Sequence, residues 1–181
     1  MCERLTFVSI FSTNLDEFYR VRVGSIYDQM IISDKKRENK TYMTSSEQLE
    51  RIFKITKELL KKKEHIYNGL MKEVKNYGVQ IVNFDKLSKE EKDGMENYFK
   101  NNVMPLLSPQ VIGKKHPFPF LNNQEIYAVA LLESKNNDKI CIVPCRSSVF
   151  NRLVQIVPGS GRYMLIEELI LHYMPMIFEN Y

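Results

Sequence analysis

The sequence predicts an α+β fold in two parts: a helical amino-terminal domain of antiparallel helices, then a domain in which a small, mainly antiparallel sheet packs with flanking helices. Two observations carry this. Apolar residues recur at helical spacing along most of the chain up to about Asn76, and beyond Gly78 β-rich runs alternate with turn-forming residues. The predicted domains are therefore 1–78 and 79–181. With 181 residues and 44% hydrophobic content, the chain can bury a core in one domain or two small ones.

From Glu3 to about Ile32, Leu5, Phe7, Val8 and Phe11 form one apolar block, and Leu15, Phe18, Tyr19, Val21 and Ile26 the next. Two helices, or one bent helix, fit. The polar run at 33–46 lacks apolar periodicity and reads as a loop, closed by Ser46 or Ser45 as a cap. The longest helix follows, with Leu49, Ile52, Phe53, Leu59, Leu60, Ile66, Tyr67, Leu70, Met71 and Val74 on an i, i+3/i+4, i+7 stripe. Lys61, Lys62 and Lys63 lie largely beside that stripe and read as a solvated face. Gly78 supplies the stop.

In the second part, "VQIVNF" reads as a short strand, and Ser88 with Glu91 three residues on reads as a capping box opening a helix that Pro105 stops. Three β-rich runs, "EIYAVALLE", "KICIVPC" and "VFNRLVQIV", predict one small sheet, the first two joined by a turn at "SKNND". "PGSGR" turns the chain into a last helical pattern through Leu165, Ile166, Leu169, Ile170 and Tyr173, ending near Pro175. It lacks the glycine spacing and terminal Lys-Ser/Thr of a phosphate-binding loop.

Composition excludes several classes. The 26 Lys and Arg against 22 Asp and Glu give +4, a bias that suits an anionic ligand without requiring a nucleic-acid surface. Cys2, Cys141 and Cys145 form no even framework; on one strand the last two would stand roughly 13 Å apart, too far to bridge. With no Cys or His cluster beside them for zinc, reduced thiols in a cytoplasmic protein are expected. No apolar run approaches the roughly 20 residues of a membrane span, and no signal peptide is apparent. Peripheral membrane association stays open.

The stretch "FSTNLDEFYRVRV", residues 11–23, sets polar residues between Phe11 and Phe18. Asn14 and Glu17 have the spacing of an N-cap and its N3 partner, and Asp16 suits a first helical turn, so a helix restart accounts for them. Asp16 and Arg20 are spaced i, i+4. Two features strain that account. At 100° per residue Arg22 falls in the middle of the arc of Phe18, Leu15, Tyr19 and Ile26, where its charge needs a carboxylate, solvent or an anionic ligand. If the helix continues unbroken, Phe7, Phe11 and Asn14 share a face, and an amide beside aromatic rings suits a nucleobase. Cap and ligand contact both fit Asn14.

The string "ERLTFVSIFSTNLDEFYRVRV" resembles the amino-terminal signature of the long-chain polyphosphate kinases, which work through a phosphorylated histidine. "VQIVNFDKLS", "HPFPFLNNQEIYAVALL" and "YMLIEELILHYMPMIFENY" resemble later parts of that family's first two domains, in order. The resemblance implies reversible transfer of the terminal phosphate of ATP to inorganic polyphosphate, with ADP as co-product, Mg²⁺ as cofactor and a homo-oligomer joined through the head domain. It implies a nucleotide contact for Asn14, packing against adenine for Phe7, and no specific role for Arg22. It also implies that the phosphorylated histidine, the second catalytic histidine and the Mg²⁺-linked residues lie in carboxy-terminal domains not represented here. No catalytic residue or metal ligand is therefore expected in this chain, which reads as a fragment, incomplete at its start and truncated within the head domain, unable to transfer phosphate alone. His65 and His172 fall within helices, and His116, beside Lys114 and Lys115, reads as an exposed loop residue. The rival reading is a non-catalytic interaction or dimerisation module that binds a protein partner. No nucleic-acid partner is expected.

Overall fold

Three side-chain pairs set the direction of the helices in the first unit. In the computed structural model, Arg4 meets Glu73, Ser12 meets Lys63, and Tyr19 stacks on Phe53, so one partner number rises as the other falls. The first helical rod therefore runs antiparallel to the long third helix. The structure describes residues 1–113, 117–133, 138–145 and 148–179. The chain forms two compact units, 1–77 and 78–181.

The rod comprises α1 (Cys2–Phe18), a π-helical segment (Tyr19–Val23) and α2 (Gly24–Ser33) without a break. The helix restart expected at Asn14 does not occur. Ser12 and Thr13 instead donate to the carbonyls of Val8 (3.0 Å) and Ser9 (3.2 Å), one turn back, so these polar residues are accommodated inside a continuing helix. Asp16 and Glu17 start nothing either; both pair with Arg20, at 3.4 and 3.1 Å. The Arg22 expectation is resolved by the π segment. Gly24 N–H reaches the carbonyl of Tyr19, five residues back, and the extra residue in that turn rotates Val23 inward and leaves Arg22 exposed.

Helix α3 (Ser45–Asn76) starts at a capping box centred on Thr44, not on Ser45 or Ser46. Thr44 keeps the extended backbone of a cap and accepts from Glu47 N–H at 3.3 Å, while Glu47 accepts from Thr44 N–H at 2.8 Å. Ser46, already helical, donates its backbone N–H and its hydroxyl to Asp34 at the end of α2. At the other end Gly78 takes φ +79, the left-handed turn that stops the helix. The apolar stripe buries Leu49, Leu70 and Val74, but leaves Phe53, Leu60 and Tyr67 exposed.

Among the described residues the second unit holds two three-stranded sheets where one was expected. Strands β2 (Gln110–Ile112), β3 (Tyr127–Leu132) and β4 (Lys139–Pro144) form an antiparallel sheet of order β2-β4-β3, with Leu131 opposite Ile140. The strand β5 (Leu153–Gln155) lies in the other sheet, of order β1-β6-β5. There β6 (Arg162–Leu165) pairs antiparallel with β5 and parallel with β1 (Gln80–Ile81). Residues 162–165 precede the helical stretch and pair on both edges, which separates them from the pattern that follows. The "SKNND" turn lies mostly outside the described residues. "PGSGR" forms the β5–β6 turn, with Gly159 and Gly161 at positive φ.

Helix α4 (Lys89–Tyr98) begins at the Ser88–Glu91 capping box and passes into a π segment (Phe99–Val103). Helices α5 (Ile166–His172) and α6 (Met174–Ile177) follow β6, Pro175 sitting in the first turn of α6. Phe99, Val103, Met164, Leu169, Ile170 and Val143 are fully buried together, and each large side chain so enclosed contributes about 1.5–3 kcal/mol. Alternation along β3 and β4 sends Ala128, Cys141 and Val143 into this core and Val129, Leu131 and Ile140 outward. Cys2, Cys141 and Cys145 are free thiols; burial pushes the last two above the ordinary thiol range and keeps them protonated. Among the described residues no helix is long and apolar enough to cross a membrane.

Candidate functional site

Where α1 and α3 lie side by side in the first unit, they leave an open groove of about 370 Å³. Its floor is apolar: Phe7, Val8 and Phe11 come from α1, and Leu59 and Ile66 from α3. The spacing explains the set. Residues 7, 8 and 11 occupy one face of α1, and 59 and 66, seven apart, occupy one face of α3. Phe7 is 65% exposed, so a broad apolar surface faces the open side of the groove.

Three cations border this floor: Arg4, Lys62 and Lys63. Arg4 is tied to Glu73, one guanidinium nitrogen lying 2.8 and 3.0 Å from the two carboxylate oxygens. Lys63 is half-buried and donates to the Ser12 hydroxyl at 3.2 Å, which itself donates to the Val8 carbonyl. Lys61 and Lys62 are exposed, as a solvated face requires, although Lys62 also borders the groove; Lys63 is the correction to that reading, being half-buried in the groove. Sequence periodicity could not find this, because it places residues around one helix and α1 packs beside that part of α3 only in the fold.

The structure brings Phe7 together with Phe11 in the groove floor. Asn14 is exposed on α1, one turn beyond Phe11, and does not line the groove itself. Of the histidines, His65 is exposed on α3, and His172 stacks on Phe84 with ring centroids 3.5 Å apart. His116, Lys114 and Lys115 lie outside the described residues. Among the described residues no three His, Cys, Asp or Glu side chains gather as a metal site would require.

An open apolar groove that includes two phenylalanines and is bordered by cations suits a ligand with an aromatic face that also carries acceptor atoms or negative charge. The chain's relatives define its family. Residues 1–82 match the polyphosphate kinase N-terminal domain, and residues 90–181 match the polyphosphate kinase middle domain. The chain belongs to the polyphosphate kinase family.

Among curated relatives, the polyphosphate kinase of Staphylococcus epidermidis is 34% identical over 184 residues, a match covering 100% of this chain and 25% of that protein. The polyphosphate kinase of Halalkalibacterium halodurans is 31% identical over 188 residues, covering 100% and 26%. The chain thus spans about a quarter of the length of the relatives it matches. The crystal structure of polyphosphate kinase from Porphyromonas gingivalis matches with a TM-score of 0.72 at 20% identity, covering 97% of this chain and 26% of that one. That likeness supports the α+β fold.

Proposed function

We propose that this chain is part of an enzyme that reversibly transfers the terminal phosphate of ATP to inorganic polyphosphate, and that it supplies part of the ATP pocket. The two units are read as the helical amino-terminal domain and a portion of the head domain. The observation that carries the nucleotide assignment is the α1–α3 groove, whose floor includes Phe7 of the signature string. A base lying on Phe7 and Phe11 would gain stacking and apolar burial. It would also come within one helical turn, about 4.5 Å of rise, of the Asn14 amide, which can both donate and accept on a base edge.

Phosphate transfer itself is assigned to the part of the relatives that this chain does not span, including the phosphohistidine and the residues linked to Mg²⁺. A cytoplasmic location and a homo-oligomer joined through the head domain complete the reading.

Titration of the labelled chain with ATP, followed by NMR, tests it. Shifts centred on Phe7, Phe11 and Asn14 are expected. Absence of any shift at millimolar ATP would overturn the nucleotide assignment and favour the rival, a non-catalytic module that binds a protein partner.

A further inference from the structure

We propose that Lys63 is a ligand-contacting residue of the α1–α3 groove, donating a hydrogen bond to a ring nitrogen of the purine base that lies on Phe7 and Phe11. The inference rests on the nucleotide reading above and adds to it a residue from α3.

An ammonium has three N–H donors and no acceptor. One donor of Lys63 goes to the Ser12 hydroxyl at 3.2 Å. Because Ser12 spends its own hydrogen on the Val8 carbonyl, at 3.0 Å, its oxygen acts only as the acceptor, and the contact ties the lysine head to α1. Among the described residues no carboxylate lies within ion-pair distance of Lys63. The remaining two donors therefore belong to solvent or to whatever occupies the groove.

The other two border cations differ. Arg4 is already engaged by Glu73, and Lys62 is exposed. Lys63 alone is half-buried and held against α1 by Ser12, so a ligand acceptor in the groove would find its ammonium already placed for a charge-assisted hydrogen bond. A purine fits on both counts. Its faces are apolar enough for Phe7 and Phe11, and its edge carries ring nitrogens that accept a hydrogen bond.

The test uses the whole 181-residue chain, titrated by NMR with adenosine and with its 1-deaza, 3-deaza and 7-deaza analogues, each lacking one acceptor nitrogen. One analogue is expected to bind about tenfold or more weakly than adenosine, the range for a hydrogen bond to a charged group. Lys63→Met, which keeps the apolar stem, is expected to lose the same factor for adenosine and to lose nothing further for that analogue. Equal affinity of Lys63→Met and the native chain for adenosine overturns the proposal while leaving the nucleotide reading intact. So does equal affinity of the native chain for all three analogues, an outcome that decides the matter even if the variant fails to fold. A folded native chain that binds no adenosine and no ATP overturns both.

Discussion

Gly161 faces the backbone carbonyl of Gly78 so closely that a Cβ built on Gly161 would stand 1.9 Å from that oxygen. The approach is part of the parallel seam between β1 and β6, in which Gln80 N–H donates to the Gly161 carbonyl at 2.9 Å. Gly161 also has φ +68, a conformation that side chains rarely adopt. Gly161→Ala is therefore expected to destabilise the chain by at least about 2 kcal/mol. Gly159→Ala shares the positive φ but meets open space, and should cost only about 1–2 kcal/mol. Urea unfolding followed by circular dichroism measures both, and the order of the two is the decisive observation.

The α4 capping box doubles as a tertiary contact. Glu91 accepts from Ser88 N–H at 2.9 Å and also pairs with Arg162 on β6. Ser88→Ala removes one cap and is expected to cost about 1 kcal/mol. Glu91→Ala should cost about 2 kcal/mol, because it also strips the carboxylate from a half-buried guanidinium. Equal losses in chemical denaturation would show that the Arg162 pair adds nothing.

Phe7 lines the groove yet is largely exposed, so its truncation should separate binding from stability. Phe7→Ala is expected to change unfolding free energy by no more than about 0.5 kcal/mol, as is usual for exposed sites. It should weaken ATP binding by the worth of one base–aromatic stack, about 1–3 kcal/mol. NMR titration and thermal unfolding of the same variant read the two effects.

Acid should loosen the connection between α2 and α3. The Ser46 hydroxyl and backbone N–H hold the Asp34 carboxyl below its ordinary value of 3.8, and hydrogen bonds from Thr41 and Lys40 hold Glu38 below 4.5. Because the folded-state values are depressed, the unfolded chain takes up these protons first as pH falls. The stabilisation is complete above the ordinary values and is lost as pH drops through the lower folded ones. Urea midpoints followed from neutrality to well below pH 3.8 should fall, and Asp34→Asn should flatten the slope.

Much of the helical unit was legible in the linear pattern. The stripe of α3, its end before Gly78 and the Ser88–Glu91 box all rest on spacings of three, four or seven residues, which local geometry fixes. Errors arose where a local pattern had two solutions. Asn14, Asp16 and Glu17 match a cap, yet Ser12 and Thr13 return their hydroxyls to the preceding turn and the helix continues. Thr44, Ser45 and Ser46 all match a cap, and Asp34, twelve residues earlier in sequence, engages Ser46.

The candidate site was legible in part. Phe7 and Asn14 come from a dense signature string, and the 3.6-residue repeat alone puts Phe7 and Phe11 on one face. Lys63 was not legible, because its partner Ser12 is 51 residues away and on another helix.

By itself the sequence determined the family, the α+β class and the helix-stopping glycine, since each depends on residue identity or on short-range periodicity. Tertiary structure alone decided that the β-rich half makes two sheets, with β6 parallel to a strand some eighty residues earlier, and that a lysine apparently on a solvated face enters a groove. Such contacts depend on which surfaces meet after the chain folds, and neighbouring residues do not encode that meeting one position at a time.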